Sequence, residues 1–343
     1  MPIKDGGLGL RKVGEDSDRS FETSVMATKP LTDAIINQSF VLPDAEVIKK
    51  AKAAAVVKMH QAESTRVEHV KNAQPAGIQR SLEQLSEPGA SSWLGALPLK
   101  SQGFDLNKGE FQDALALRYD KPVKNLPSQC PCGSKFTTAH AMDCSLGGFI
   151  NARHDNIRDA EADLLKSVLN DVEREPPLQQ VTNKTGYCKT AKIQDQARLD
   201  VRARGFWRAG QNAYFDVRVT NPDNSSQQNK SLKAVLRNHE MEKKRHYNRR
   251  IMEVEHGTFT PLVFTTTGVM SHECTIFHKA LAEKISKKKG DTYQDIMRYL
   301  RVKFSFLAMK ATLLCLRGSR SLAKRPDNAT TDDFGLALNE LGL

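Results

Sequence analysis

The sequence predicts an α/β domain whose mixed sheet is flanked by helices, preceded by a small cysteine-containing knuckle and a mostly helical N-terminal segment. Between residues 150 and 316, a helical pattern is followed by three strand-like segments, a basic helix and a fourth strand, an order typical of a compact α/β domain. Three cysteines and one histidine lie together directly before that region. Residues 44–72 contain neither proline nor glycine and predict one long helix.

We expect four segments along the chain. They are a helical segment over residues 1–126, a Cys/His knuckle over residues 127–148, the α/β domain over residues 149–320 and a flexible tail over residues 321–343. The first segment contains no group of catalytic residue types, so we interpret it as a scaffold. Within it, residues 108–118 predict a second helix, and a stretch rich in Pro, Gly and Ser between residues 74 and 98 predicts a loop.

Composition limits the class of protein. The chain has 343 residues, and its formal net charge of +11 favours a polyanionic partner. The first twenty residues are polar and rich in glycine, so no secretory signal is predicted, and no apolar run is long enough to span a membrane. The six cysteines are unevenly spaced, which favours a metal site with reduced thiols over a disulfide framework and predicts an intracellular protein.

Cysteine and histidine are concentrated in one short stretch. Cys130 and Cys132 are followed by His140 and then by Cys144. Three thiols and one imidazole match the ligand set of a tetrahedral structural zinc site, although the Cys-x-Cys pair is tighter than the usual spacing. Gly133 allows the tight turn that this pair needs. Because four protein ligands leave no position for a substrate, we expect the zinc to serve folding and nucleic-acid contact.

Carboxylates recur along the helix predicted from residue 153 to about residue 172. Asp155 and Asp159 are four residues apart and therefore lie on one polar face. A solvated face with ion pairs to nearby bases accounts for most of these acids. Asp159 is our candidate for a metal ligand or a water-positioning residue near the end of the sheet. Glu175, at the end of a strand predicted over residues 173–178, is a further catalytic candidate.

A predicted hairpin carries the most informative pattern. Apolar and charged residues alternate in both of its halves, 198–202 and 214–219. Asp216 and Arg218 share one face of the second strand, because alternate strand residues point the same way. If the two strands pair, Asp200 comes close to Asp216, and two carboxylates can hold the Mg²⁺ that phosphodiester hydrolysis requires. Charged residues that simply face solvent are the alternative.

Residues 230–252 predict a strongly basic helix. Bases greatly outnumber acids here, whereas a solvated helix usually balances the two signs. We therefore expect this helix to contact a phosphate backbone, and its basic core also matches a weak nuclear-import pattern. The side chains selected for the contact are Lys243, Lys244, Arg245, Arg249 and Arg250. A strand over residues 259–266 and helices over residues 271–287 and 292–316 complete the domain.

These features together resemble the C-terminal region of non-LTR retrotransposons that carry a restriction-like endonuclease. The residues that carry the resemblance are the Cys/Cys/His/Cys knuckle, Arg153-His154-Asp155, Arg198-Leu199-Asp200 and Asp216-Val217-Arg218. The order of elements also resembles the PD-(D/E)xK, or restriction-endonuclease-like, fold. In that family the module follows a reverse-transcriptase domain, and residues 6–10 resemble the segment behind the polymerase palm. No Tyr-x-Asp-Asp polymerase motif occurs, so we expect a fragment or a decayed copy without its polymerase.

The resemblance implies a metal-dependent DNA endonuclease. Asp200 and Asp216 take the places of the acids that hold the catalytic Mg²⁺ or Mn²⁺. The third ligand stays open between Asp159, Glu161 and Glu175, because the phase of the helix relative to the sheet is unknown. The reaction implied is attack of a metal-activated water on a DNA phosphodiester.

Two positions depart from the family pattern. Leu199 replaces the proline of the PD motif, and Arg218 stands where the family has lysine. Arginine keeps the positive charge but cannot lose a proton. Either Lys243 or Lys244 therefore substitutes for the lysine in space, or activity is reduced.

The expected partner is DNA, with RNA or an RNA–DNA duplex as the alternative, and no membrane. Arg153, His154 and Arg198 are basic residues of the family motifs and are expected to contact nucleic acid as well. The expected cofactors are a structural Zn²⁺ and a catalytic Mg²⁺ or Mn²⁺. The competing hypotheses are a nucleic-acid-binding module with an inactive nuclease core and a non-functional reading frame whose fold survives.

Overall fold

The computed structural model of this protein describes residues 1–10, 13–39, 41, 43–179, 198–224, 226–227 and 229–320. Contacts divide the chain into two compact units, Met1–Ser86 and Glu87–Leu343. The predicted segment boundaries at residues 126 and 148 both lie inside the second unit. The tail predicted over residues 321–343 lies outside the described residues.

The first unit contains three α-helices among its described residues. They are α1 (Val13–Ile36), α2 (Ala45–Asn72) and α3 (Ala76–Ser86). α2 confirms the predicted long helix, and the Asp44 side chain caps it by accepting a hydrogen bond from the backbone N–H of Glu46. The sequence pattern predicts neither α1 nor α3. α1 contains Pro30, and α3 lies in the stretch that was predicted to be a loop. α3 begins directly after Pro75, a position where proline costs no helical hydrogen bond.

The second unit contains six α-helices and four strands among its described residues. In chain order they are α4 (Lys108–Arg118), α5 (Thr138–Asp143), α6 (Phe149–Lys166), β1 (Val172–Arg174), β2 (Val201–Arg204), β3 (Asn212–Thr220), α7 (Leu232–Glu253), β4 (Thr258–Thr265), α8 (His272–Lys289) and α9 (Tyr293–Arg317). From α6 to β4, this order confirms the predicted succession of one helix, three strands, one helix and one strand.

Two elements end earlier than the sequence pattern predicts. α6 stops at Lys166, and the turn that follows packs Val168 and Leu169 against the core instead of extending the helix. β1 stops at Arg174, because the next residue, Glu175, has a left-handed backbone with a φ of +49° that a strand does not accommodate.

The strands form one open sheet in the order β1-β2-β3-β4. The β1–β2 and β2–β3 pairs are antiparallel, whereas β3 and β4 are parallel. Parallel neighbours need a long crossover connection, and α7 supplies it. The mixed sheet of an α/β arrangement is therefore confirmed.

Helices pack on both faces of this sheet. Phe215 of β3 packs with Phe277 of α8 in the largest core cluster, where the two ring centroids are 4.8 Å apart. The neighbouring Tyr214 packs against Ile251 of α7 on the opposite face. Because successive strand residues point to opposite faces, Asp216 shares the α7 side with Tyr214.

α9 is a buried helix of the second unit. Its core face includes Leu300 and Phe304, whereas Lys303 and Lys310 interrupt its apolar sequence. The Lys310 ammonium lies 3.2 Å from the Asp105 carboxylate. Among the described residues, no helix combines the length and the apolar content that crossing a membrane requires.

Phe277 and its neighbour Ile276 provide a matched test of this core. Phe277 is fully buried, whereas Ile276 is 43 % exposed on the same helix. We expect Phe277→Ala to lower the free energy of unfolding by about 3–5 kcal/mol, because it leaves a cavity among aromatic rings. Ile276→Ala should cost about 0.5 kcal/mol. Urea unfolding of both variants measures the difference, and equal losses would show that Phe277 is not a core residue.

Candidate functional site

Acidic residues form a row across the sheet. The register pairs Val201 with Phe215, and one further step places Asp200 opposite Asp216. On the other side, the backbone N–H of Glu175 donates to the carbonyl oxygen of Asp200 at 2.9 Å. Asp200 lies directly before β2 rather than on the strand as predicted. Strand pairing therefore brings the two predicted metal-binding aspartates to neighbouring positions.

The Asp200 carboxylate is fixed through one of its oxygens. Oδ2 accepts a hydrogen bond from the backbone N–H of Val217 at 2.5 Å and lies 3.1 Å from Nε2 of His154. Among the described residues, the hydrogen bonds of this carboxylate all involve Oδ2. The side chain is 14 % exposed, so it is not sealed from solvent.

Asp216 is a buried carboxylate with a lysine beside it. Its Oδ2 lies 2.5 Å from Nζ of Lys243, which α7 places over this face of the sheet. Burial raises the pKa of Asp216, Lys243 opposes this effect and the Asp200 carboxylate adds to it, so that the resulting pKa is about 6. Two carboxylates that repel each other in a buried position form a site that a divalent cation would neutralise.

His154 links the first helix of the α/β region to this site. Its Nδ1 lies 3.2 Å from Oδ1 of Asp155, and its Nε2 lies 3.2 Å from the carbonyl oxygen of Val217 in addition to the Asp200 contact. Burial lowers the pKa of His154, but the hydrogen bonds and charges of Asp155 and Asp200 outweigh it and raise the pKa to about 10. The charged ring donates from both nitrogens, which orients Asp200.

This pairing of His154 with Asp200 is the feature that sequence reasoning missed. His154 was predicted to contact nucleic acid, but the structure places it against the carboxylate. The two residues are 46 positions apart, and no helix or strand period relates them. The available signal was an adjacent His-Asp pair on the first helix after the knuckle.

Three cations were candidates for the position of the family lysine, and the structure gives each of them a different acidic partner. Arg218 shares the α7 face with Asp216, as predicted, but its guanidinium lies 2.7 Å from Glu242. Lys244 forms an ion pair of 2.5 Å with an acid of α8. Lys243 is therefore the candidate that contacts Asp216.

The three acids considered as a third metal ligand are paired with other residues and do not join Asp200 and Asp216. Arg158 contacts Asp159 at 3.0 Å and Glu175 at 2.5 Å, so both acids are ion-paired. Glu161 is fully buried in the core, 2.9 Å from Nε2 of His278. Within the described part of the chain, no third ligand group converges with Asp200 and Asp216.

The residues predicted to contact nucleic acid divide into buried and exposed groups. Arg153 is 3 % exposed and Arg250 is 8 % exposed, and each donates to a backbone carbonyl. These two are therefore structural side chains, which corrects the prediction. Arg198, Arg245 and Arg249 are exposed, although Arg249 is ion-paired within α7.

The four predicted zinc ligands converge. The ligand atoms of Cys130, Cys132, His140 and Cys144 all lie within 4.8 Å of one another. The sulfurs of Cys130 and Cys144 are 3.8 Å apart, and Sγ of Cys132 lies 3.4 Å from Nε2 of His140. Tetrahedral coordination with a Zn–S distance of about 2.3 Å requires a sulfur–sulfur edge of about 3.8 Å. The donor set and these edges fit a zinc ion.

Local backbone structure positions these ligands. Gly133 has a φ of +91°, and its N–H donates to the carbonyl oxygen of Cys130 at 2.8 Å, which closes the turn between the first two cysteines. His140 lies on α5, where its N–H donates to the Thr137 hydroxyl at 3.1 Å. Cys144 follows directly after the last residue of α5.

The thiols of the cluster have different environments. Burial raises the pKa of Cys130, whereas the backbone and side-chain hydrogen bonds of Ser134 lower the pKa of the exposed Cys132 to about 6. Cys130 and Cys144 are buried in one apolar cluster with Phe149 of α6 and the last residues of α9. The knuckle is therefore packed into the second unit.

No protein-family model matches the chain, and no curated protein matches it significantly. The geometry of the side chains is therefore the basis for a proposed function.

Cys144 and Cys315 allow a controlled test of zinc binding, because both are buried in the same apolar cluster and only Cys144 belongs to the Cys/His group. We expect the protein to contain about one zinc per chain. Cys144→Ser should lose the metal and lower the melting temperature, whereas Cys315→Ser should keep the metal. Elemental analysis and thermal unfolding measure both effects. Zinc retained in Cys144→Ser would remove Cys144 from the ligand set.

Proposed function

We propose that the second unit is a metal-dependent endonuclease that hydrolyses DNA phosphodiester bonds. The observation that carries the proposal is that Asp200 and Asp216 occupy neighbouring positions at the sheet and that Lys243 of α7 contacts Asp216. The parallel β3–β4 pair with α7 as its crossover supports a restriction-endonuclease-like fold. Two carboxylates beside a lysine are the groups that metal-assisted phosphodiester hydrolysis needs.

Each residue has a defined part in this proposal. Asp200 and Asp216 would hold Mg²⁺ or Mn²⁺ through their carboxylates. The bound ion supplies an activated water and positive charge at the phosphate. His154 orients Asp200, and Lys243 places an ammonium where negative charge develops on the phosphate. An ammonium can also lose a proton, which the guanidinium of Arg218 cannot.

We infer a retroelement origin from the position of the knuckle. The Cys/His cluster lies directly before α6 and shares an apolar cluster with its first residue, Phe149. We assign the cluster a structural zinc, because its four ligands leave no open coordination position. DNA is the proposed substrate, with RNA or an RNA–DNA duplex as the alternative. A nuclear location stays a prediction from the basic segment of α7.

A nucleic-acid-binding module with an inactive core is the second candidate function. The observation in its favour is that Asp159 and Glu175 are engaged by Arg158 and do not join the two aspartates. A metal held by two protein carboxylates keeps more water ligands and is bound less tightly. Metal-dependent turnover separates the two candidates.

Cleavage of supercoiled plasmid tests the metal site. We expect nicking with Mg²⁺ or Mn²⁺ and none without added divalent cation. Asp216→Asn should lower the rate by about 100-fold or more, because it removes a charged metal ligand. Thermal unfolding confirms that the variant is folded. No cleavage by the wild type, with plasmid binding intact, would favour the inactive module, and undiminished cleavage by the variant would exclude Asp216 as a ligand.

The two adjacent lysines of α7 test which cation is catalytic. Lys243 contacts Asp216, whereas Lys244 contacts Glu273. We expect Lys243→Gln to lower the nicking rate by about 100-fold and Lys244→Gln to change it by less than about threefold. Because Lys243→Gln also leaves a buried carboxylate without its partner, the melting temperatures of both variants are compared. If Arg218→Gln abolishes nicking and Lys243→Gln does not, Arg218 is the catalytic cation.

A further inference from the structure

A second basic surface lies away from the candidate metal site, where α8 ends beside the turn between β2 and β3. We call it the α8 basic surface. It consists of Lys284, Lys287, Lys288, Lys289 and Arg208. Residues 279–303 as a whole contain eight Lys and Arg residues against three acids. This stretch therefore carries an excess of positive charge, as α7 does.

Helix periodicity and one ring contact bring these residues together. Lys284, Lys287 and Lys288 are spaced at i, i+3 and i+4, so they lie on one face of α8. Nζ of Lys284 lies 5.6 Å from the centre of the Phe206 ring, and Phe206 stacks on α8 through Phe277 at 4.9 Å. Arg208 follows two residues after Phe206 in the same turn and is exposed.

The positive charge of this surface is not neutralised within the described residues. None of its five bases forms an ion pair with a described acid, and all but Lys284 are exposed. One of the three acids in the same stretch, Asp295, accepts a hydrogen bond from the Thr292 hydroxyl at 2.7 Å as part of the cap of α9. In contrast, Lys243 and Lys244 of α7 are both ion-paired.

Helix stabilisation accounts for only part of this pattern. Lysines in the last turn of a helix interact favourably with its dipole, and this explains Lys287, Lys288 and Lys289. The effect decays within one turn, so it does not reach Lys284, and it does not apply to Arg208 on the neighbouring turn.

We propose that the α8 basic surface binds the phosphate backbone of a nucleic-acid duplex. Closely spaced, unpaired ammonium and guanidinium groups release counterions from a polyanion, and they do so without reading its sequence. α8 packs on the face of the sheet that holds Phe215, whereas Asp216 faces α7. This surface is therefore a separate contact that holds the duplex, and it deepens the proposed nuclease function without depending on cleavage.

Duplex binding measured by fluorescence anisotropy tests the proposal. The full chain is titrated onto labelled duplex DNA and onto an RNA duplex of the same sequence, with Ca²⁺ in place of Mg²⁺ to prevent cleavage. The test variant is Lys287→Gln/Lys288→Gln/Lys289→Gln. The control is Lys49→Gln/Lys50→Gln/Lys52→Gln, which removes the same number of exposed charges from α2 in the other unit, one of them, on Lys49, paired with Glu46 at 3.3 Å.

We expect the test variant to bind about tenfold or more weakly at moderate salt, with a shallower salt dependence by about two to three ions, and the control to bind within about twofold of the wild type. Loss on the DNA duplex, the RNA duplex or both supports the surface and identifies the nucleic acid. Unchanged binding of both duplexes, or an equal loss in the control, overturns it.

A second variant distinguishes a loss of binding from a destabilisation of α8. Lys284→Gln/Arg208→Gln lies outside the last turn of the helix and should also weaken binding, while its melting temperature stays that of the wild type. Normal binding by this variant overturns the proposal. The nuclease proposal can fail while this one holds. In that case these variants bind the duplex more weakly, but the wild type shows no metal-dependent nicking.

Discussion

A carboxylate buried in a sheet needs a positive charge beside it, and the candidate site depends on how the fold supplies one to Asp216. The parallel pairing of β3 with β4 requires a crossover helix, and α7 is that helix. Because α7 packs on the face that Asp216 occupies, it places Lys243 at 2.5 Å from the carboxylate. The connection that completes the sheet therefore also completes the charge pair.

The sequence predicts the features that depend on local periodicity. The order of helices and strands follows from hydrophobic patterns within single segments, and the shared face of Asp216 and Arg218 follows from the two-residue period of a strand. The sequence does not predict which cation contacts Asp216, because this depends on the rotation of α7 against the sheet. The rotation of a helix about its axis also decides the burial of Arg153 on α6 and of Arg250 on α7, whose charge predicted a surface contact although their side chains are buried.

The knuckle shows the same division between local and long-range information. Its four ligands converge within fifteen residues, so spacing and a glycine turn suffice to predict them. Its packing is not encoded in that spacing. Cys144 shares an apolar cluster with Phe149, the first residue of α6, and His154 lies on the next turn of that helix. The backbone that the Cys/His cluster organises is therefore continuous with the helix that presents His154 to Asp200.

The distribution of ion pairs decides where the positive charge of this protein is available to a partner. A net charge of +11 indicates a polyanion, but a charge count does not distinguish an ammonium that compensates a buried carboxylate from one that faces solvent. In α7, Lys243 and Lys244 are bound by acids of the same unit. At the end of α8, the lysines have no described acidic partner. Two lysines of the most basic segment thus contribute to the internal charge balance, whereas the last lysines of α8 are exposed where a phosphate backbone can reach them.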